Sequence, residues 1–211
     1  MPWLPVRGKR ILVPLSLAFI KNRLRLDVPP APPPSGLKPA GVLIPLFAVG
    51  EDPHLLFTQR TMSVRDHQGQ ISFPGGVRDS HDPDLQATAL RESQEEIGLN
   101  PEAVEIVGSL NPLATITGYW ITAFVALIPY PYEFAVNRKE VKRLLVLPLE
   151  GFCPPARWST GNYTYEGKTI QVCYWRQQKT VIWGATARLL LDLLTRLGQN
   201  PFVNEKGNCM T

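Results

Sequence analysis

Three glutamates in one short segment are the residues of this chain best suited to chemistry. Glu92, Glu95 and Glu96 stand at positions i, i+3 and i+4, and on a helix this spacing puts their Cβ atoms about 5–6 Å apart on one face. Three like charges at that distance repel each other, and a divalent cation such as Mg²⁺ offsets the repulsion by binding carboxylate oxygens. The same spacing also occurs on solvated acidic faces of helices, so the neighbouring residues must decide between the two interpretations.

Residues on both sides of the glutamates favour the metal site. Gly76 has no side chain and can bring a bare backbone carbonyl close to a metal ion. Arg91 adjoins Glu92, and its guanidinium can pair with an upstream carboxylate such as Asp82, which would fasten the preceding loop to the helix. Gly98, just after the acidic cluster, is a typical helix stop. Together these residues predict a site for metal-dependent phosphate chemistry.

The hydrophobic pattern predicts the elements that must position this segment. Apolar runs bounded by glycine and proline indicate strands, and apolar residues at helical spacing indicate two helices. The predicted strands are 41–49, 54–60, 103–109, 120–128 and 141–147, followed by a hairpin of 162–166 and 169–175. The predicted helices are 84–97, which carries the glutamates, and 182–197 near the end of the chain. This order predicts an α/β fold with one core.

The composition excludes several classes of protein. The chain has 211 residues, of which 44% are hydrophobic and 19% charged, which is typical of a globular domain and not of a disordered chain. Its longest apolar runs, 11–20 and 120–128, are shorter than the ~18–20 residues that a membrane span needs. The net charge of +4 comes from scattered basic residues, which argues against nucleic-acid binding. Cys153, Cys173 and Cys209 have no metal-binding spacing and indicate reduced thiols in a cytoplasmic protein.

The two ends of the chain differ from its middle. Residues 1–37 are interpreted as an N-terminal extension and proline-rich linker, because the prolines at 29–34 cannot join a sheet or a helix interior. Within it, residues 1–20 fit an amphipathic helix, a start codon placed too early, or a targeting or export signal. We expect one domain over residues 38–197 and a flexible C-terminal tail over residues 198–211.

The segment from Gly76 to Leu99 resembles the signature of the Nudix hydrolases, G-x5-E-x7-R-E-U-x-E-E-x-G-U, in which U is a bulky aliphatic residue. The matching residues are Gly76, Arg91, Glu92, Glu95, Glu96, Gly98 and Leu99. The departures are Asp82 in place of the first glutamate, eight residues between Asp82 and Arg91 where the signature has seven, and Ser93 at an aliphatic position. The resemblance implies an α/β/α sandwich with a mixed β-sheet between helices.

A longer stretch resembles one subfamily, the coenzyme A pyrophosphatases. Residues 55–76 read LLFTQR…HQGQISFPGG, which is similar to the segment found just before the signature in that group. The likeness continues downstream in residues 110–120, 140–149 and 182–194. It implies hydrolysis of coenzyme A (CoA) or an acyl-CoA to 3′-phosphoadenosine 5′-phosphate and (acyl-)4′-phosphopantetheine.

The resemblance also implies roles for individual residues. Metal ions, Mg²⁺ or Mn²⁺, would be bound by the Gly76 carbonyl, Glu92, Glu95 and Glu96. Arg91 would organise the site, and the general base would be Glu95 or, on a later loop, Glu140.

Three upstream residues are candidates for contacts with substrate. Arg60 and Arg65 could bind phosphates, and His67 could hydrogen-bond the site loop. Glu140, Arg60 and Arg65 could equally be surface residues, and His67 could be purely structural.

Several functions stay open at this stage. The substrate could instead be ADP-ribose, NADH, a dinucleoside polyphosphate or an oxidised nucleotide, or the domain could be a non-catalytic nucleotide-binding module. The three intact glutamates favour an enzyme, since a binding module has no need of such crowded carboxylates. The expected partner is a small-molecule nucleotide and not a nucleic acid, and we expect a monomer or a homodimer.

Overall fold

A large mixed β-sheet forms the centre of the protein. The computed structural model describes residues 15–24, 32–62 and 69–202. The eight strands of the sheet are β1 (Lys38–Val49), β2 (Asp52–Arg60), β3 (Ile71–Ser72), β4 (Gly75–Val77), β5 (Glu105–Ser109), β6 (Leu113–Ala114), β7 (Tyr119–Leu127) and β8 (Val141–Pro148). Strand β1 lies in the middle, parallel to β7 and antiparallel to β2. The main order is β3-β2-β1-β7-β5, and the pairing of both kinds makes the sheet mixed.

A smaller sheet, three α-helices and three short 3-10 helices complete the described part of the chain. The second sheet contains β9 (Trp158–Tyr165), β10 (Lys168–Gln177) and β11 (Thr180–Trp183). The α-helices are α1 (Leu17–Leu24), α2 (Leu85–Ile97) and α3 (Gly184–Arg196). In the described ranges, no helix is long and apolar enough to cross a membrane.

The large sheet is covered on both faces because side chains alternate along its strands. On β1, Leu43 and Phe47 pack with residues of α2, whereas Ile44 and Leu46 pack with α1, α3 and the small sheet. Successive residues of a strand point to opposite faces, so β1 is buried on both sides. The predicted α/β/α sandwich with a mixed sheet is confirmed.

Helix α2 forms where the sequence predicts a helix over 84–97. Asp84 has an extended conformation, and its side chain accepts a hydrogen bond from the backbone N–H of Ala87 at 2.8 Å, so Asp84 caps the helix. At the other end, Gly98 has a φ of 68°, and its N–H donates to the carbonyl of Gln94. This left-handed conformation favours glycine, which explains why the helix stops directly after the glutamates.

Several predicted boundaries differ from the structure: β1 begins at Lys38 rather than at residue 41, and β9 begins at Trp158 rather than at residue 162. The second helix begins at Gly184 rather than at residue 182, because Ile182 and Trp183 belong to β11 and pair with Trp175 and Tyr174 of β10. A predicted strand at 103–109 begins only at Glu105, since residues 101–103 form a 3-10 turn. In the last two places the apolar pattern is right and the type or start of the element is not.

Parts of both chain ends pack against the domain. Helix α1 lies within the predicted N-terminal extension and buries Ile20 and Leu24 in the main core. Near the other end, Gln199 is buried and Phe202 lies edge-on to the ring of Trp158 at 6.1 Å. Residues 1–14, 25–31 and 203–211 lie outside the described residues. The boundaries at residues 37 and 198 therefore stay predictions.

Candidate functional site

Helix α2 presents its three glutamates to different environments. The side chain of Glu96 is 4% exposed, that of Glu92 is 19% exposed, and that of Glu95 is 56% exposed. Glu92 and Glu96 stand one helical turn apart. These two form the inward pair, and Glu95 lies at the edge of the site.

Arg91 fastens the preceding loop to α2, as the sequence predicts. Its Nε donates to Oδ1 of Asp82 at 3.0 Å, and its Nη2 donates to Oδ2 at 3.0 Å. The same carboxylate accepts hydrogen bonds from the Thr88 hydroxyl and from the backbone N–H of Asp79, each at 2.9 Å. Hydrogen bonds from Arg91, above all, hold the pKa of Asp82 well below its ordinary value despite its burial.

The other side of the Arg91 guanidinium faces the acidic cluster. Nη1 lies 2.8 Å from Oε1 of Glu92 and 3.2 Å from Oε2 of Glu95. Arg91 therefore joins three carboxylates, two on its own helix and Asp82 on the loop. Its role in organising the site stays a prediction, although its contacts are those that such a role needs.

Burial makes the charges of the inward glutamates costly. Desolvation raises the pKa of Glu96 to about 8, with further contributions from the charges of Glu92 and Glu140 and an opposing one from Arg60. Burial also raises the pKa of Glu92, and the nearby Glu95 and Glu140 carboxylates add to the effect. Arg60 is the cation next to Glu96, with Nη1 at 3.6 Å from Oε1.

One atom on each side of the Arg60–Glu96 ion pair lacks a hydrogen-bond partner among the described residues. Oε2 of Glu96 is buried and has no hydrogen-bond partner among the described residues, and the same holds for Nε of Arg60. A buried carboxylate oxygen without a partner is unfavourable, and binding to a hard cation would satisfy it. The donor set of clustered carboxylates thus fits a divalent metal ion.

Gly76 contacts the same carboxylate cluster. A Cβ atom at this position would lie less than 3.0 Å from all three atoms of the Glu92 carboxylate. Only glycine therefore leaves room for Glu92 where β4 passes the helix. The structure brings the predicted ligands Gly76 and Glu92 into contact, and their binding of metal stays a prediction.

The described ranges contain no three His, Cys, Asp or Glu side chains arranged to hold a metal ion as they stand. Arg91 contacts Glu92 and Glu95 in this structure. Coordination of an ion by all three glutamates would therefore need these side chains to turn away from the guanidinium.

Glu140 reaches the cluster from a turn before β8. Its backbone carbonyl accepts a hydrogen bond from the N–H of Thr61, next to Arg60, at 2.8 Å, and its charge contributes to the raised pKa of both Glu92 and Glu96, so the structure brings this candidate base to the site. The turn also contains Asn137, whose importance the sequence analysis missed. Asn137 and Glu140 have the N-x-x-E spacing that is typical of a capping box, and this spacing could have drawn attention to them.

Two predicted substrate contacts cannot be placed. Arg65 and His67 lie in residues 63–68, outside the described residues. Arg60 lies at the end of β2, within the described residues.

A family model and similar proteins of known sequence match this chain to the same family. A family model of the NUDIX domain matches residues 37–164. The chain is 37% identical over 162 residues to an uncharacterized Nudix hydrolase NudL of Enterobacter sp. strain 638, covering 77% of this chain and 84% of the relative. It is 34% identical over 183 residues to NudL of Photorhabdus laumondii, covering 85% and 96%.

Among solved structures, the chain is similar to a Nudix hydrolase from M. smegmatis, RenU. The TM-score is 0.47 at 23% sequence identity, covering 56% of this chain and 74% of RenU.

Proposed function

Because the chain belongs to the Nudix hydrolase family, we propose that it hydrolyses the pyrophosphate bond of CoA or an acyl-CoA. The products would be 3′-phosphoadenosine 5′-phosphate and (acyl-)4′-phosphopantetheine. The observation that carries the proposal is the position of the CoA-pyrophosphatase-like segment, residues 55–76. It runs from β2 to Gly76 and brings Arg60 beside Glu96 and Gly76 against Glu92.

Nudix hydrolases generally use divalent metal ions such as Mg²⁺ or Mn²⁺. In this chain the proposed ligands are the Gly76 carbonyl, Glu92, Glu95 and Glu96. A bound ion would neutralise phosphate oxygens and lower the pKa of a coordinated water. Arg91 would hold the cluster in place through Asp82, which accepts two of its hydrogen bonds.

The hydrolysis also needs a general base in the protein, which accepts one proton from the attacking water. The water oxygen bonds to phosphorus, the bridging P–O bond breaks, and its electron pair stays on the leaving phosphate. A carboxylate takes the proton from the attacking water. Glu95 accepts a hydrogen bond from Arg91 at 3.2 Å and lies at the edge of the site with 56% of its side chain exposed. We therefore favour Glu140 over Glu95.

The metal assignment is tested at Glu92 and Glu96. Replacing either one by Gln keeps its size but removes the charge, and we expect Mg²⁺- or Mn²⁺-dependent turnover to fall about 10²-fold or more, or ~2.7 kcal/mol of barrier. Glu51, exposed in the turn between β1 and β2, gives the matched control Glu51→Gln, which should retain full activity. Near-normal turnover of both site variants would refute the assignment.

The two arginines of the CoA-like segment separate the candidate substrates. CoA carries a 3′-phosphate that ADP-ribose and NADH lack, and a guanidinium can bind phosphate oxygens in bidentate fashion. Arg60 lies beside Glu96, so we expect it to act near the pyrophosphate. This leaves Arg65 as the candidate for the 3′-phosphate.

The experiment measures kcat/KM for CoA and 3′-dephospho-CoA, beside acetyl-CoA, ADP-ribose and NADH, with products identified by mass. A charge-assisted contact is worth about 1.5–3 kcal/mol, so CoA should be preferred over dephospho-CoA by roughly ten- to a hundredfold. Arg65→Ala should abolish most of that preference, whereas Arg60→Ala should slow both substrates alike. Equal kcat/KM values for CoA and 3′-dephospho-CoA would contradict the binding of the 3′-phosphate by an arginine. Faster hydrolysis of ADP-ribose than of CoA would overturn the CoA assignment.

A further inference from the structure

A single asparagine, Asn137, organises the turn before β8, which lies between helix α2 and the end of strand β2. The backbone N–H of Asn137 donates to the carbonyl of Glu96 at 2.9 Å, at the last turn of α2. Its side-chain Nδ2 donates to Oε1 of Glu140 at 3.1 Å, and its Oδ1 accepts from the N–H of Lys139 at 3.2 Å. One residue thus contacts the helix that carries the glutamates, the candidate base and the turn between them.

The opposite side of the turn is attached to β2. The backbone N–H of Thr61 donates to the carbonyl of Glu140 at 2.8 Å, and its hydroxyl donates to the carbonyl of Lys139 at 3.0 Å. Thr61 directly follows Arg60, the cation next to Glu96. The backbone of Glu140 is therefore held between the elements that carry Arg60 and Glu96.

With its backbone held, the remaining freedom of Glu140 lies in its side chain. A glutamate side chain has several rotatable bonds, and fixing them is costly unless a contact compensates. The hydrogen bond from Asn137 holds one carboxylate oxygen. The charge of this carboxylate reaches the Glu92 and Glu96 carboxyls, whose pKa values it raises.

We propose that Asn137 is a positioning residue that orients the Glu140 carboxylate toward the attacking water at the Glu92–Glu96 cluster. The inference rests on the proposed function, because it concerns the base of that hydrolysis. Asn137 itself would touch neither substrate nor metal. It would hold one oxygen of Glu140 and leave the other free to accept the proton, and a misplaced base lowers the rate of the chemical step more than it lowers binding.

The test compares two variants that remove the donor but keep the turn. Asn137→Ser adds no charge, and its short hydroxyl can still accept from the N–H of Lys139 but cannot reach Glu140. Asn137→Asp is isosteric and keeps that acceptor. One lost hydrogen bond to a charged group should lower kcat about tenfold and leave KM within about twofold. The matched controls Asn162→Ser and Asn162→Asp, at an exposed position of β9, should retain the parent kcat.

A double-mutant cycle with Glu140→Gln distinguishes positioning from a structural effect. With Gln at position 140, Asn137→Ser should change kcat less than twofold, because the group that it positions is gone. An equal tenfold loss in both backgrounds would overturn the proposal, and so would an unchanged kcat of both Asn137 variants. If the parent chain hydrolyses no nucleotide at all, the proposed function fails as well. An active parent with unaffected variants ends only the inference on Asn137.

Discussion

The Arg91 guanidinium joins a loop carboxylate to the acidic face of α2. Asp82 accepts two hydrogen bonds from Arg91 and one from the Thr88 hydroxyl, although the Nudix signature has a glutamate at this position. The shorter side chain and the extra residue before Arg91 are compatible with an ion pair in which the carboxylate is buried and the guanidinium is partly exposed. Asp82 therefore contributes to stability by holding Arg91, and Arg91 in turn contacts Glu92 and Glu95.

This ion pair predicts a dependence of stability on pH. The pKa of Asp82 is lowered in the folded state, so its contribution is fully present above the ordinary value of 3.8 and is lost as the pH falls from there through the lower folded-state value. At neutral pH, Asp82→Asn should reduce the free energy of unfolding by about 1.5–3 kcal/mol. Denaturant unfolding at several pH values should show the difference from the parent shrinking below pH ~4.

The exposed Asp52 provides the control for this series. Asp52→Asn removes a charge at the start of β2, and its unfolding curve should match the parent throughout. If the free energies of unfolding of the Asp82→Asn variant and the parent differ by the same amount across the acid range, the stabilising effect of Asp82 does not depend on its charge.

Most of the candidate site could be predicted from residue types and spacing because those residues are close in the sequence. The glutamates share one helix, and Arg91 reaches Asp82 across nine positions. The contact of Asn137 with Glu96 could not be predicted in the same way, although its contact with Glu140 is local. The hydrogen bond to Glu96 joins the turn to a helix some 40 positions upstream, and only the folded sheet brings the two together.

Two facing glycines let α2 lie close to the sheet. Gly41 of β1 and Gly76 of β4 are partners in the antiparallel ladder. A Cβ atom at Gly41 would lie less than 3.0 Å from the backbone of α2, at Leu85 and Ala89, whereas one at Gly76 would meet the Glu92 carboxylate. The same added methyl group therefore strikes a rigid helix backbone in one case and the end of a flexible side chain in the other.

Replacing glycine by alanine should mainly lower turnover at position 76 and mainly lower stability at position 41. Gly76→Ala should leave the free energy of unfolding within about 1 kcal/mol of the parent, because Glu92 can turn away, but turnover should fall at least about tenfold. Gly41→Ala should destabilise by about 1–3 kcal/mol or more, because α2 must shift. Chemical denaturation and steady-state kinetics on both variants check this, and full activity of Gly76→Ala would contradict the role of Gly76.

The same contrast between local and distant contacts explains which elements could be predicted. Helix α2 has both of its end signals in its own sequence, at Asp84 and Gly98. Strand β11 has no such signal, because Ile182 and Trp183 read as the first residues of an apolar helix. Their pairing with β10 is a tertiary effect, and it overrides the local preference.

At the level of the whole molecule, the layers could be predicted from the resemblance, but the extent of the core could not. Helix α1 lies before the proline-rich segment, and its short amphipathic pattern gives no indication of what it packs against. In the structure its backbone at Leu24 lies against Gly108 of β5, and Arg23 donates to the carbonyl of Arg196 at the end of α3 at 3.0 Å. The helix thus covers the face of the sheet opposite to α2.

This placement predicts that α1 stabilises the fold without taking part in turnover. Ile20 is fully buried, so Ile20→Ala removes apolar contacts and leaves a cavity, which should lower the free energy of unfolding by about 2–5 kcal/mol. The kcat should stay at the parent value, since α2 and its glutamates lie across the sheet. Asn22→Ala, at an exposed position of the same helix, should change neither quantity. Denaturant unfolding and steady-state kinetics measure both, and an Ile20→Ala variant as stable as the parent would mean that α1 does not dock on this face in solution.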